Sequence, residues 1–422
     1  MEKKHVVIIG GGFSGVNLLK KLRNNNQYEI TLVDKNNYNF FPPLIYQVAT
    51  GFLEPSSISY PFRRLTSKRK NTHFWLGEVE KIDTQNKQIH LNNGSLTYDI
   101  LVLAAGTQTN YFGMENIEKH AIPMNTLEDA LNMRNLLLQR VEKACKIQSI
   151  EKRREYLNIV IAGGGPTGVE VAGMFAELRK RIVKTEYPEL VGTNSKVYIV
   201  NSPNCLLPPM SRKSQQYAEN RLKNYGVEVL LKTRVSDFNG EEVFLNNGET
   251  IKTKNLIWAT GVEGIVFEGI PAESYTKGKR LETNSFHEVK DLNDVYALGD
   301  ASLCLGDENF PDGHPQLAQV AIQQAQNLAH NLKSKTKNKP LKKFQYKDKG
   351  SMAIIGKSRA VADIPKPKFH LQGFVALMVW AFIHLFSLIS YTDRLRTFIN
   401  WVISYTTQDQ DLRMIIRPKK RL

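Results

Sequence analysis

Two glycine-rich turns carry the first chemistry legible in this chain. The β-branched run His5-Val-Val-Ile-Ile is followed by Gly10, Gly12 and Gly15, and then by residues 16–22 with apolar positions at helical spacing. A buried strand, a tight turn and a helix in that order make an anion cradle. Gly10 supplies the backbone angles of the turn, Gly12 lets a pyrophosphate approach the main chain, Gly15 lets helix and strand pack, and the helix N-terminus faces the anion. The second strand, 29–34, ends in Asp34, 19 positions past Gly15. That spacing suits a carboxylate accepting from a ribose hydroxyl. The pattern recurs with Gly163, Gly165 and Gly168 after Leu157-Asn-Ile-Val-Ile-Ala, and its second strand, 196–201, ends in Asn201. Two cradles imply two dinucleotides, and the natural pairing is a flavin with a nicotinamide. An amide at Asn201 does not repel a 2′-phosphate, and Arg212 and Lys213 follow it, so NADPH stays open beside NADH.

Three further segments read as buried strands ending in small-residue turns: 98–106, closing on Ala105 and Gly106; 255–261, closing on Gly261; and 294–300, closing on Gly299-Asp300. In this order the motifs resemble the two-dinucleotide flavoproteins that include the pyridine-nucleotide disulfide reductases. The resemblance implies that Ala105, Gly106 and Asp300 contact non-covalently bound FAD and that Gly261 lies on the NAD(P)H side. It also implies a nicotinamide domain inserted into a flavin domain. The expected fold is α/β, with two Rossmann-like domains and a C-terminal helical membrane-anchoring region. Expected boundaries are 1–115 and 265–341 for FAD, 116–264 for NAD(P)H and 342–422 for the C-terminal region.

Disulfide reductases of that superfamily need a cysteine pair beside the flavin. Cys145, Cys205 and Cys304 are widely spaced, and the segment 38–51 after the first cradle has none. Thiol relay, a disulfide scaffold and a cysteine-rich metal site are excluded on this reading, and no metal is expected. Pro43-Leu-Ile-Tyr-Gln-Val-Ala-Thr-Gly51 and Ala318-Gln319-Val-Ala-Ile-Gln323 resemble the signature of type II NADH:quinone oxidoreductases. That likeness runs nearly end to end. It implies a non-pumping enzyme passing two electrons from NADH through FAD to a membrane quinone, with the quinone near Gln319 and Gln323 and with Glu170 near the reacting rings. Read from residue types alone, Gln319 and Gln323 are equally a polar helix face, since they stand four apart. Glu170, at the start of the second cradle helix, also suits the helix dipole. Rivals are a soluble ferredoxin or rubredoxin reductase and a non-catalytic flavin-binding redox sensor.

Length and composition fit these elements. The chain has 422 residues, enough for two or three domains at about 150 each. Its 41% hydrophobic and 23% charged residues exclude collagen-like, low-complexity and polytopic-membrane classes. The N-terminus shows no signal-peptide pattern, so a cytoplasmic start is expected. The net charge is +16, and from Lys342 onward 15 Lys and Arg face 5 Asp and no Glu. This basic surplus accompanies the most apolar stretch, 373–389, so it points to anionic lipid rather than nucleic acid. Beyond Asp393, Leu395, Phe398, Ile399, Val402 and Ile403 share one face and Arg394, Arg396 and Asn400 the other, with Trp401 and Tyr405 suited to the headgroup level. An in-plane anchor on the cytoplasmic face of the membrane is the favoured reading, ahead of a buried dimer or core helix and of a spanning helix. A homodimer is left open.

Overall fold

In the computed structural model, residues 3–67, 69–406 and 414–415 are described. The closing Lys419, Lys420 and Arg421 lie outside them. The chain divides into two compact units.

The first unit gathers Met1–Phe40, Ser59–Gln108 and Val262–Asp348. Its centre is a parallel sheet in the order Val295–Ala297, Ile100–Leu103, Lys4–Ile9, Tyr28–Asp34, Thr72–Leu76. Strands covered on both faces need continuous apolar runs, and Val6, Val7, Ile8, Leu101, Val102 and Leu103 are fully buried. The helix Phe13–Leu22 buries Leu18, Leu19 and Leu22 and packs on the helix Ala318–Lys335, which buries Ala321, Ala325, Leu328 and Leu332. Strand order reverses beside Lys4–Ile9, so a crevice opens at the carboxyl ends of the strands, where the glycine turn lies.

The second unit holds Phe41–Ile58, Thr109–Gly261 and Lys349–Leu422. Its parallel sheet repeats the first: Ile122–Pro123, Asn255–Trp258, Ile159–Ala162, Val197–Asn201, Val227–Leu231. Each unit also has a three-stranded antiparallel meander, Val79–Asp83 to Gly94–Thr97 in one and Val235–Phe238 to Thr250–Lys252 in the other. The helix Leu127–Cys145 starts at a capping box in which Thr126 accepts from Asp129 N and the Asp129 carboxylate accepts from Thr126 N.

From Lys349 onward the second unit adds an antiparallel sheet of Ser351–Ile354, Ala360–Ile364 and Phe369–Gln372, then the helices Gly373–Ser387 and Tyr391–Thr406. The 15-residue Gly373–Ser387 helix is one-sided: Phe374, Met378, Phe382 and Phe386 are exposed, while Ala376, Leu377 and Trp380 are buried. Among the described residues no helix is long and apolar enough to cross a membrane. On Tyr391–Thr406 the exposed stripe is Leu395, Phe398, Ile399, Val402 and Ile403, as its spacing requires. Trp401 departs from expectation, while Tyr405 stays 36% exposed. Trp401 is 6% exposed and donates its indole N–H inward to Gln47, and the Tyr405 hydroxyl donates to the Lys357 carbonyl. Thr397 and Asn400 turn inward as well, donating to the Ser57 carbonyl and hydroxyl at 3.0 and 2.9 Å. These bonds explain why 41–58, which chain order alone gives to the first cradle, groups with the tail.

Candidate dinucleotide cradles and the Glu170 pocket

The two cradles agree bond for bond. Gly10 N donates to the Val33 carbonyl and Gly163 N to the Val200 carbonyl, both at 2.8 Å. The next amide, of Gly11, donates to Asp34 Oδ2 at 2.7 Å, and that of Gly164 donates to Asn201 Oδ1 at 2.8 Å. Gly10 and Gly163 have φ of +98° and +112°, the left-handed region that glycine tolerates. A Cβ on Gly15 or Gly168 would run into the carbonyl oxygen of Gly10 or Gly163, so both helices must start with no side chain there. At Gly12 and Gly165, by contrast, a Cβ would meet no protein atom within 4 Å. The backbone does not require glycine at those two positions. The clear space in front of them is where a diphosphate would rest on the helix N-terminus, so the residues present fit a dinucleotide in each cradle.

Asp34 also accepts from Asn36 N at 2.8 Å, and burial raises its pKa while the two amides counter that shift. Each of its oxygens keeps a lone pair for a ribose hydroxyl. Asn201 is more committed. Its Nδ2 donates to the Cys205 carbonyl at 2.7 Å, a bond no carboxylate can make. The amide at this position therefore has a structural reason independent of any 2′-phosphate.

Around the first cradle, the Ile100–Leu103 strand runs into Ala104, whose N–H donates to the Ile9 carbonyl at 2.7 Å, so Ala105 and Gly106 sit at the strand's carboxyl end. Gly299-Asp300 follows Val295–Ala297, and a Cβ on Gly299 would meet Ser14 Oγ at 3.0 Å, so this turn abuts the first cradle helix. Burial raises the Asp300 pKa, and the Arg280 guanidinium works against that rise. In the second unit, Gly261 follows Asn255–Trp258 and its carbonyl accepts from Asn110 N at 3.2 Å.

Glu170 belongs to the helix Pro166–Thr185 and is 8% exposed. Its Oε1 accepts from Ile354 N at 3.3 Å, and burial pushes its pKa up to about 8. Burial thus favours the neutral acid over the charged form that a balance against the helix dipole would need. Gly173 and Glu177, one and two turns on, complete the contact with the 354–357 turn: a Cβ on Gly173 would strike Gly356 N, and Glu177 accepts from Lys357 N. Tyr46 is fully buried, and its pKa is raised well above the ordinary value by burial first and by the Glu170 charge second.

On Ala318–Lys335, Gln323 is tied at both ends of its amide, donating to the Lys347 carbonyl at 2.9 Å and accepting from Lys347 N at 3.0 Å. Asn331 does the same to Lys342, at 2.9 and 2.8 Å, and Asn327 also donates to the Lys342 carbonyl. Gln323 is thus one rung of a side-chain ladder along an extended segment, while Gln319 is half-buried near the start of the same helix. Cys145, Cys205 and Cys304 are all free, and burial pushes the Cys304 thiol up to about 11, which makes it a poor nucleophile.

Residues 4–325 match the profile of the pyridine nucleotide-disulphide oxidoreductases, and residues 349–407 match the NDH2 C-terminal domain. A type II NADH:quinone oxidoreductase of Mycobacterium tuberculosis, Ndh, is 33% identical over 96% of this chain and 88% of its own. The chain belongs to the type II NADH:quinone oxidoreductase family. The internal alternative NAD(P)H-ubiquinone oxidoreductase A1 of Arabidopsis thaliana is 28% identical over 96% of this chain and 84% of its own. The fold is that of the Plasmodium falciparum NDH2 solved in complex with NADH, with a TM-score of 0.89 at 22% identity, covering 99% of this chain and all of that one.

For a type II family member, sequence reasoning missed three polar residues. Gln324, 1% exposed, accepts from Gly299 N at 2.6 Å and so holds the Gly-Asp turn. Gln47 and Tyr46 lie in the quoted signature but had no role assigned. The available signal for Gln324 was its place among Val320, Ala321, Ala325 and Leu328 on the buried face, where a lone amide needs a partner.

Proposed function

We propose that this chain binds FAD in the first cradle and NADH in the second, and passes two electrons to a membrane quinone without pumping protons. The observation that carries the reading is the pair of matched cradles, each with clear space before Gly12 or Gly165, in a member of the type II family that has no cysteine pair. Bound FAD supplies the two-electron exchange between nicotinamide and quinone. The protein holds and orients. Gly10, Gly12 and Gly15 receive the FAD diphosphate, Asp34 accepts from its ribose, and Ala105, Gly106 and Asp300 line the flavin end. Gly163, Gly165, Gly168 and Gly261 receive NADH. Asn201 shapes that cradle, and with no carboxylate there, NADPH remains a substrate to be compared.

Glu170, whose proton burial helps to hold, is a buried proton source for quinone reduction, which consumes two protons with its two electrons. Gln319 takes the quinone contact on the Ala318–Lys335 helix, and Gln323 holds the neighbouring segment in place for it. The exposed apolar faces of Gly373–Ser387 and Tyr391–Thr406, with the basic surplus of the tail, seat the enzyme on the cytoplasmic face of the membrane, where a lipid-soluble acceptor is met. Anaerobic mixing of the flavin-loaded protein with NADH, followed by a short-chain quinone, tests this. The yellow absorbance bleaches and then returns. Bleaching without return on quinone, but with return on an iron-sulfur protein, would overturn the reading.

A further inference from the structure

The Ile45–Ala49 helix carries a chain of polar side chains that neither cradle uses. Trp401 Nε1 donates to Gln47 Oε1 at 2.8 Å, and Gln47 Nε2 donates to the Tyr46 hydroxyl oxygen at 2.9 Å. Tyr46 is 1%, Gln47 2% and Trp401 6% exposed, so water does not compete for these bonds. An indole nitrogen donates and never accepts. It therefore fixes the Gln47 amide with Oε1 toward Trp401 and Nε2 toward Tyr46. The Tyr46 oxygen must then accept from Gln47, and its own hydrogen points elsewhere. The Ile45–Ala49 helix packs against the Pro166–Thr185 helix, which carries Glu170, and that carboxyl is the charged group that raises the phenol's pKa most.

Trp401 is on the helix Tyr391–Thr406, whose outward face is the apolar stripe of Leu395, Phe398, Ile399, Val402 and Ile403. Its inward side holds Thr397 and Asn400 on Ser57, and Trp401 on Gln47. A helix whose outer face suits lipid thus ends, on its inner face, at the one donor that decides which way Gln47 faces.

We infer that Gln47 and Trp401 are positioning residues for the Tyr46 hydroxyl, and that through them the lipid-facing helix sets the direction in which Tyr46 offers its proton beside Glu170 during quinone reduction. This deepens the proposed function and rests on it. Both act through the Tyr46 hydroxyl. If the indole is lost, the Gln47 amide is free to turn over, Tyr46 can donate to Gln47 instead, and the phenol proton is withdrawn from the Glu170 side.

The test uses the full chain loaded with FAD, in vesicles, with flavin bleaching by NADH and reoxidation by a short-chain quinone timed separately. Reoxidation of the unaltered enzyme by quinone checks the proposed function first, so a failure of that reading is seen before any variant is compared. Gln47→Met keeps the length and severs both bonds. It should slow reoxidation about tenfold, the worth of one hydrogen bond, and slow bleaching much less. Trp401→Phe should give a smaller loss of the same kind, and the double variant should be no slower than Gln47→Met alone, because both act through one hydroxyl. Gln47→Glu supplies the signature a packing role would not: Glu donates to Tyr46 only when protonated, so reoxidation should recover toward acid pH and fall as the new carboxyl ionises. Single effects that multiply, losses equal in both half-reactions, or a pH-independent Gln47→Glu variant would overturn the inference. If Gln47→Met does not hold FAD, Trp401→Phe and Gln47→Glu decide by the same two criteria.

Discussion

Replacing Glu170 by Gln isolates a carboxyl that burial keeps protonated. Its pKa is about 8 in the folded chain against 4.5 for the free group, with burial the dominant cause and the Ile354 N–H a small opposing one. The folded protein therefore holds a proton that the unfolded chain has released, and stability falls as pH rises between those two values. At pH 7 the gap from 4.5 amounts to about 3 kcal/mol at 1.36 kcal/mol per unit. Below the unfolded value both states are protonated and the cost vanishes. Gln is neutral throughout and keeps an oxygen for Ile354 N. Its second amide hydrogen adds a penalty of about 1 kcal/mol that does not change with pH. Urea unfolding midpoints of Glu170→Gln and the parent, measured from pH 4 to 8, should therefore diverge in favour of the variant. The gap should open by about 1.4 kcal/mol per unit above the unfolded value and flatten near the folded one. Difference infrared spectra at pH 7 should show a protonated-carboxyl C=O band that the variant lacks. A gap that stays constant with pH, or a missing band, would mean that Glu170 is ionised in its pocket and would remove it as a neutral proton source.

The remaining expectations concern the cradles and the anchor. Gly12→Val should yield a folded but colourless protein, because a Cβ there meets no protein atom within 4 Å and the side chain would occupy the diphosphate space; visible absorbance of the purified chain checks it, and a yellow variant refutes the cradle. Gly165→Val should keep its yellow colour and raise the KM for NADH, read by steady-state kinetics, and equal loss of FAD would show that the two cradles are not separately occupied. Asn201→Asp should destabilise the chain by about 1–3 kcal/mol in urea, since a carboxylate oxygen would face the Cys205 carbonyl where an amide now donates; unchanged stability would show that this bond does not constrain the residue. Phe382→Ser with Phe398→Ser should weaken flotation with anionic vesicles by about tenfold per residue, because both rings are more than half exposed, at 62% and 51%; unchanged binding would place the membrane face elsewhere.

What could be read from sequence was whatever a residue needs from its immediate neighbours. Gly10 and Gly163 are tied to their turns by φ, Gly15 and Gly168 by a carbonyl five residues back, and the parallel strands by apolar runs that have no exposed face. Each requirement is local, so motif and spacing recover it. The polar side chains that hold the second layer obey no such rule. Gln324 reaches Gly299, Gln323 reaches Lys347, and Trp401 reaches Gln47 across 354 positions. Helical spacing paired Gln319 with Gln323, but the amide that supports the Gly-Asp turn is the next residue, on the buried side of the same helix. Periodicity says which face a residue is on; it does not say which buried backbone group lacks a partner. Trp401 shows the same limit from the other side. An aromatic on an amphipathic helix suits a headgroup as well as a protein interior, and only the fold decides, by presenting Gln47 Oε1 to an indole N–H that must donate to something. Asp34 and Asn201 stand at matching places and accept matching amide bonds, yet their chemistry differs because Cys205 turns a carbonyl toward one of them. A motif comparison sees a missing acid at Asn201, whereas the local hydrogen-bond count requires a donor there.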